Sequence, residues 1–170
     1  VAVAVPRCRV ADPAFNAGQS VALLHEAASA GAAMVAFPEL GLSAYTCDDL
    51  FHQRALLDGC EAALARVLEA SEGIDTVAVL GLPLRVDLAL FNCAAVLHRG
   101  RLLGAVPKSY LPNYREFYER RQFAPAAQAV STSLRLLGQD VPFGTRLLFS
   151  ARDLPGFMLH LEVCEDLWVP

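Results

Sequence analysis

The sequence predicts an α/β fold with one mixed sheet and helices on one of its faces. Strand-like and helix-like segments alternate in the first half of the chain, and two further strands then form a hairpin. Alternation of this kind is typical of β-α-β units, whereas a hairpin adds antiparallel strands. The chain has 170 residues, of which 55% are hydrophobic and 19% charged. This is enough apolar material for one packed core, so we expect a single globular unit.

The first helix has recognisable ends and lies between two predicted strands. Residues 1–5 are a short run of Val and Ala that favours a strand. Asp12 and Pro13 are residue types that cap and start a helix, and Gly31 is suited to the turn that ends one. Residues 32–37 then form a continuous apolar run, which predicts a fully buried strand.

A second helix and three more strands follow. Apolar residues recur at helical spacing over residues 57–68, and residues 76–84 have the composition of a buried strand. Residues 91–98 and 101–106 are two further strand-like runs. They are separated by Arg99-Gly100, in which glycine tolerates the positive φ of a tight turn, so we expect a β-hairpin.

The last third of the chain has weaker patterns. Residues 109–123 are rich in aromatic and charged side chains, which is typical of a functional or interface loop. Residues 134–137 and 145–150 are possible strands. Residues 156–170 resemble a buried strand that carries Cys164 into a turn crowded with carboxylates, an unusual place for an inert thiol. We therefore expect Cys164 to be a nucleophile.

Charge and hydropathy argue against two classes of partner. The chain has a formal net charge of −4, and no Lys/Arg cluster alternates with aromatic residues as in nucleic-acid-binding surfaces. The longest apolar runs, residues 31–38 and 77–84, are under half of the roughly 20 residues that cross a bilayer. We expect neither a nucleic-acid partner nor a membrane span.

The five cysteines form an odd set without a Cys-x-x-Cys spacing or a nearby pair of histidines. This pattern predicts neither a disulfide framework nor a zinc site, and it favours a reducing compartment, the cytoplasm. The chain begins without Met and without a signal peptide. We expect that residues precede it in the natural protein.

The sequence offers Cys164 no histidine as a base. His160 lies four positions earlier, and four strand residues span about 13 Å, which is too far for a hydrogen bond. His25 and His52 fall on predicted helix surfaces and His98 falls at the hairpin turn, so solvated histidine is the preferred interpretation for each. Carboxylates and lysine remain as partners.

Lys108 and Glu39 are the strongest partners by position. Lys108 is the only lysine in the chain and follows a predicted strand, where its compact ammonium could stabilise an oxyanion. Glu39 ends another buried strand, where a carboxylate could act as a general base. Each residue alone is more often solvated or inert. Together with Cys164, they favour an active site.

Three motifs containing these residues resemble, in order, those of the nitrilase superfamily. They are Phe-Pro-Glu-Leu at residues 37–40, residues 107–119 beginning Pro-Lys-Ser-Tyr-Leu-Pro, and Glu-Val-Cys-Glu-Asp-Leu-Trp at residues 162–168. Residues 41–45 and 114–119 are most similar to the branch formed by the glutaminase domains of glutamine-dependent NAD⁺ synthetases. The resemblance covers nearly the whole chain.

The resemblance implies a catalytic triad of Glu39, Lys108 and Cys164. Cys164 would attack the carboxamide carbon of L-glutamine while Glu39 accepts the thiol proton. The ammonium of Lys108 and the backbone N–H of Glu165 would hold the oxyanion. Glu116 would correspond to a second glutamate that several family members place beside the triad.

Aromatic residues in two loops are expected to form the substrate pocket. The resemblance makes Tyr45, Tyr114 and Phe117 its candidate residues. An aromatic loop at a subunit contact is an equally good interpretation, and the two are compatible. We also expect a homo-oligomer.

The family's fold is a four-layer α/β/β/α sandwich. Residues 1–170 would form its first half to two-thirds and would therefore be an incomplete glutaminase domain. We expect no cofactor or metal in this domain. ATP and Mg²⁺ would act in a separate synthetase domain, absent here, that amidates nicotinic acid adenine dinucleotide. The fragment alone would then have little or no activity. A free-standing nitrilase-type amidase and a non-catalytic oligomerisation or binding remnant are the alternatives.

Overall fold

A five-stranded mixed sheet forms the centre of the computed structural model, which describes residues 1–169. The first three strands run parallel, and the last two are antiparallel neighbours joined by tight turns. Adjacent strands follow one another in the sequence. In order across the sheet they are β1 (Ala2–Val3), β2 (Met34–Ala36), β3 (Val77–Val86), β4 (Ala89–His98) and β5 (Arg101–Pro107).

Two helices of equal length, α1 (Pro13–Ser29) and α2 (Arg54–Ala70), lie on one face of this sheet. The Asp12 side chain accepts a hydrogen bond from the Phe15 backbone N–H at 3.0 Å, which is the cap that the sequence predicts. Gly31 follows α1 with φ of 74°. Both predicted helices are confirmed.

The main core lies between the helices and the sheet. It includes the fully buried side chains of Leu24 from α1, Leu64 from α2 and Leu80 from β3. In the same core, Phe91 from β4 packs edge-on against Phe143 with ring centroids 5.5 Å apart. The predicted α/β class with helices on one face is confirmed.

The predicted β4–β5 hairpin is also present. Arg99 and Gly100 both have positive φ, 48° and 72°. This is the conformation of the two-residue turn whose twist matches that of the flanking strands. The turn therefore directs β5 back along β4, so that the chain reaches Lys108 at the same edge of the sheet where β2 ends.

The weaker patterns in the last third form short hairpins. The strand predicted at residues 134–137 is β6 (Ser133–Leu136), which pairs with β7 (Gln139–Pro142). Of residues 145–150, only Phe149–Ser150 forms a strand, β8, which pairs with β9 (Met158–Leu159). The loop predicted over residues 109–123 is confirmed apart from one short 3-10 helix, Glu119–Arg121.

The prediction of a buried strand leading to Cys164 is wrong. Apart from β9, the segment is extended without a sheet partner, and exposed residues alternate with half-buried ones up to the buried Val163. Val163 packs against Val79 and Val96, on the side of the sheet away from the helices. The alternation of apolar residues with His160 and Glu162 suits a segment that covers a sheet face on one side only. Pro170, the last residue of the prediction, lies outside the described residues.

The structure describes one helical layer and one sheet layer, half of the four layers that the resemblance implies. The extended segment around Val163 lies on the second face of the sheet. None of the helices within residues 1–169 has the length and hydrophobicity needed to cross a membrane.

Candidate active site

Glu39 lies in a turn directly after β2. The turn is fixed to β3 by main-chain hydrogen bonds, since Phe37 N donates to Val79 O at 2.9 Å and Leu42 N donates to Gly81 O at 3.1 Å. The side chain of Glu39 is 18% exposed. As predicted, a strand end therefore presents this carboxylate at the edge of the sheet while leaving part of it accessible.

Lys108 follows β5 and is completely buried. Its Nζ donates to Glu39 Oε1 and to Glu119 Oε1, both at 2.7 Å. Burial on its own would lower the pKa of Lys108. The hydrogen bonds and charges of Glu119 and Glu39 outweigh that effect and raise the pKa, so the ammonium is retained at neutral pH.

The glutamate beside Lys108 is Glu119, whereas the family resemblance implies Glu116 at that place. Glu119 is 5% exposed and begins the short 3-10 helix Glu119–Arg121. Burial raises the pKa of its carboxyl, although hydrogen bonds from Lys108 and Tyr45 act in the opposite direction. Glu116 is exposed, and its side chain borders a cavity. The sequence contains both glutamates within one loop, and their spacing from Lys108 did not distinguish them.

Tyr45 joins this cluster through its hydroxyl, which donates to Glu119 Oε1 at 2.7 Å. Burial, together with the hydrogen bond and charge of Glu119, raises the pKa of Tyr45. Tyr45, Glu116, Phe117 and Glu119 all border a cavity of about 190 Å³. Two of the predicted substrate-pocket residues, Tyr45 and Phe117, are therefore brought to one cavity.

Tyr114 lies beside the turn that begins at Cys164. Its hydroxyl donates to the Glu165 carboxylate, at 3.0 Å to Oε2, and its ring packs edge-on against Phe117 at 5.8 Å. The hydrogen bond to Glu165 raises the pKa of the Tyr114 hydroxyl. The loop thus connects the predicted pocket residues to the residue directly after Cys164.

Cys164 begins the 3-10 helix Cys164–Trp168 and has φ of 51°. This left-handed conformation is uncommon for a residue with a side chain and turns the chain sharply at Cys164. Burial raises the pKa of the Cys164 thiol, the charge of Glu39 and its hydrogen bond raise it further, and Lys108 opposes them. The raised pKa keeps the thiol protonated at neutral pH.

Asp166 holds the Cys164 turn against the loop that follows Lys108. Its Oδ1 accepts hydrogen bonds from the backbone N–H groups of Ser109 at 3.0 Å and Tyr110 at 2.8 Å, and its Oδ2 accepts one from Val163 at 3.1 Å. A buried carboxylate with three backbone donors is well satisfied. Sequence reasoning missed this residue, because two of its three partners, Ser109 and Tyr110, lie more than 50 positions away.

Histidine is not part of the cluster in the described residues. His160 Nδ1 lies 3.3 Å from Leu147 O, and its ring is exposed. Three of the other cysteines, Cys47, Cys60 and Cys93, are buried. Burial raises the pKa of Cys60 to about 12, as expected of an inert core thiol. Cys164 differs from these three by being exposed.

Comparisons with known proteins show the family to which the chain belongs. The family model described as carbon-nitrogen hydrolase matches residues 1–170. The chain belongs to the carbon-nitrogen hydrolase family, and its fold is shared by amidases of the nitrilase superfamily.

Among curated relatives, the chain is 49% identical over 170 residues to the glutamine-dependent NAD⁺ synthetase of Mycobacterium tuberculosis and 42% identical to that of Mycobacterium leprae. These alignments cover 100% of this chain and 25% of each relative, so the chain spans a quarter of their length. The aligned region therefore includes the residues of all three motifs.

Solved structures of similar proteins include an enzyme of the same name as these relatives. A glutamine-dependent NAD⁺ synthetase from Cytophaga hutchinsonii superposes with a TM-score of 0.83 at 26% identity, covering 96% of this chain and 27% of that one. An amidase of the nitrilase superfamily from Nesterenkonia superposes with a TM-score of 0.72 at 20% identity, covering 98% and 56%. The second match concerns the fold alone.

Proposed function

We propose that Cys164, Glu39 and Lys108 catalyse hydrolysis of a carboxamide, and that the substrate is L-glutamine. The observation that carries the proposal is the sharing of one carboxylate. Glu39 accepts a 2.7 Å hydrogen bond from the buried Lys108 ammonium and also faces the protonated Cys164 thiol. Nucleophile, base and cation are thus assembled from three separate segments of the chain.

In the first step, Glu39 accepts the thiol proton as the sulfur attacks the carboxamide carbon. The developing oxyanion is stabilised by Lys108 and by the backbone N–H of Glu165. An ammonium group has three N–H donors, and two are used on Glu39 and Glu119, so one remains for the oxyanion. The C–N bond then breaks, the proton held by Glu39 passes to the leaving nitrogen, and ammonia departs from a glutamyl thioester.

In the second step, water attacks the thioester carbonyl carbon. Glu39 accepts the proton of this water and then returns it to the departing Cys164 sulfur, which restores the resting enzyme and releases glutamate. Glu119 keeps Lys108 in place throughout, because its buried carboxylate bonds the same Nζ. Lys108 therefore remains a fixed cation in both steps.

The choice of glutamine rests on the relatives, which are named glutamine-dependent NAD⁺ synthetases. Tyr45, Tyr114 and Phe117 are proposed to contact the substrate. The ammonia would pass to an ATP- and Mg²⁺-dependent synthetase domain of the same polypeptide. That domain would amidate nicotinic acid adenine dinucleotide, and the whole protein would act in the cytoplasm as a homo-oligomer.

A free-standing amidase is the second candidate. It is favoured by the superposition on the Nesterenkonia amidase, which covers 98% of this chain and 56% of that protein. Such an enzyme would hydrolyse simple amides without a synthetase reaction. A non-catalytic remnant is disfavoured by the intact set of Glu39, Lys108 and Cys164.

The experiment compares nitrogen donors in the full-length protein that contains this chain. Wild type should form NAD⁺ with either glutamine or ammonia, whereas Cys164→Ala should keep only the ammonia-dependent reaction. Cys8→Ala, which alters the other exposed cysteine, is the matched control and should keep both. Glutamine-dependent synthesis by Cys164→Ala would remove Cys164 from the mechanism. Amide hydrolysis without any NAD⁺ synthesis would support the free-standing amidase.

A further inference from the structure

Asn92, a completely buried residue within β4, contacts both members of the Glu39–Lys108 ion pair. Its side-chain Nδ2 donates to Glu39 Oε1 at 2.6 Å. Its main-chain carbonyl accepts a hydrogen bond from Lys108 N at 2.8 Å. One residue therefore fixes the general base through its side chain and the cation through its backbone.

The other end of the Asn92 amide has no partner among the described residues. Oδ1 is buried and accepts no hydrogen bond. An unpaired buried carbonyl is unfavourable, and the neighbouring residues in β4, Phe91 and Cys93, are apolar and buried. Packing alone would therefore be served better by an apolar side chain at position 92. The N–H group that reaches Glu39 accounts for an amide there.

The bond from Asn92 also determines how the Glu39 carboxylate is used. Oε1 already accepts hydrogen bonds from Lys108 Nζ and from Asn92 Nδ2. A carboxylate oxygen has two lone pairs in its plane, so both are occupied. Oε2 is the oxygen that keeps capacity for a further proton.

We propose that Asn92 is a positioning residue that turns the Glu39 carboxylate so that Oε2, and not Oε1, accepts the thiol proton of Cys164. This inference rests on the proposed function, because it assigns Glu39 the role of general base. The charged or titratable groups that face Glu39 are Lys108, Glu119, Cys164 and Tyr45. Asn92 is a neutral donor to this carboxylate, and it can therefore orient Glu39 without adding charge.

Two substitutions separate positioning from packing. Asn92→Leu keeps the branched shape of the side chain and removes both the donor and the unpaired carbonyl. It should leave the Tm unchanged or higher while lowering kcat for glutamine hydrolysis roughly 10- to 100-fold, the size expected for one hydrogen bond to a charged group. KM should change little, because Asn92 is buried beneath the carboxylate and away from the substrate.

Asn92→Asp replaces the donor with a second carboxylate facing Glu39 Oε1. Ionisation of Glu39 then becomes harder, so the acid limb of the kcat/KM profile should move to higher pH. If Asn92 only supported the fold, its substitution would change the amount of active protein and would leave the acid limb of the kcat/KM profile in place. Asn92→Leu decides the question if Asn92→Asp does not fold.

Asn16→Asp is the matched control. Asn16 is also completely buried, and its side chain bonds the backbone of Arg9 and Leu42 without touching Glu39. The Asn16→Asp substitution should lower the Tm and leave the acid limb of the kcat/KM profile where it is in wild type. Wild-type kcat in Asn92→Leu, or an unmoved acid limb in folded Asn92→Asp, would overturn the inference. All variants are made in the full-length protein that contains this chain, and absence of glutamine hydrolysis in its wild type and control alike would instead overturn the proposed function, and this inference with it.

Discussion

Gly81 lies directly against the turn that carries Glu39. A Cβ atom built at position 81 would lie 2.8 Å from the Glu39 carbonyl carbon and 2.4 Å from both the Leu40 nitrogen and the Pro38 oxygen. Side-chain Cβ atoms do not approach backbone this closely. The absence of a side chain on β3 therefore allows the turn to rest on the strand and to place Glu39 near Lys108.

Gly81→Ala should displace the Glu39 turn. Because the neighbouring atoms belong to the backbone, they can move only by shifting the whole turn, and overpacking of this kind costs about 1–3 kcal/mol. We expect a lower free energy of unfolding in urea denaturation. We also expect kcat to fall by a larger factor than the one by which KM changes. Gly73→Ala is the control, since a Cβ there meets nothing within 4 Å. Equal kcat values in the two variants would show that Gly81 does not position Glu39.

Lys108→Met should destabilise the protein and abolish turnover. Removal of the ammonium leaves Glu39 and Glu119 facing each other in a largely buried site, and breaking such a pair costs about 3–5 kcal/mol. The double variant Lys108→Met/Glu119→Gln removes one of the two stranded charges, so it should regain part of the stability and none of the activity. Guanidinium unfolding curves and glutamine hydrolysis measure the two effects. A double variant as unstable as the single one would contradict the role given to Glu119.

Glu119→Gln and Glu116→Gln should differ sharply. Glu119 bonds Lys108 and Tyr45, whereas Glu116 is exposed. We expect Glu119→Gln to lower kcat by more than tenfold. A hydrogen bond to a charged group contributes about 1.5–3 kcal/mol, which corresponds to a factor of ten or more. Glu116→Gln should affect kcat by less than threefold. Steady-state kinetics with glutamine decide between them, and a larger effect at Glu116 would restore the assignment made from sequence.

Alkylation of Cys164 should follow its raised pKa. Only the thiolate reacts with iodoacetamide, so the rate at Cys164 should increase as the pH rises through that raised value and be slow at neutral pH. In Glu39→Gln the repelling charge is removed, so the pKa falls and the profile should move to lower pH while turnover is lost. Peptide-resolved mass spectrometry separates Cys164 from the exposed Cys8. A profile that moved to higher pH in Glu39→Gln would contradict this arrangement.

Asp166→Asn should loosen the turn that begins at Cys164. An amide cannot accept from all three backbone donors at Ser109, Tyr110 and Val163, because one of its two ends is itself a donor. We expect a loss of about 1–3 kcal/mol, the penalty for a buried group without its partner. Hydrogen exchange at these three amides should accelerate. Asp153→Asn changes an exposed aspartate and should leave their exchange unchanged.

Local features of the fold were predictable from the sequence, because their causes lie within a few residues. Asp12 and Pro13 start α1 by a cap that reaches only to Phe15. Arg99 and Gly100 form their turn through their own backbone angles. Lys108 was identifiable because a single lysine after an apolar strand suggests a specific use.

The orientation of the residues 109–123 loop could not be predicted, because distant contacts determine it. The Tyr118 hydroxyl donates to Asp48, and Arg121 forms a bidentate pair with Asp49 at 2.9 Å. Asp48 and Asp49 lie 70 and 72 positions away from the residues that bond them. Those residues, Tyr118 and Arg121, flank Glu119 in the sequence. They turn Glu119 inward and leave the earlier glutamate of the loop outside, a choice that local spacing does not contain.

The same reason explains why Asn92 and Asp166 were missed. The side chain of Asn92 acts on Glu39, 53 positions away, and that of Asp166 acts on Ser109, 57 positions away. Neither stands in a distinctive local pattern. The buried strand predicted before Cys164 was wrong for a related reason, since an alternating apolar pattern describes any extended segment with one covered face, whether or not a neighbouring strand pairs with it.

The lysine between two glutamates has a further consequence for the speed of the reaction. When the Cys164 proton moves to Glu39, one carboxylate is neutralised and one thiolate appears, so the total charge of the cluster is the same before and after the transfer. Lys108 stays bonded to Glu119 and remains a constant positive centre. The surroundings therefore respond to a short relocation of charge and not to the creation of a new one. Proton transfer in this cluster should accordingly be nearly insensitive to ionic strength, even though every group that takes part is polar or charged.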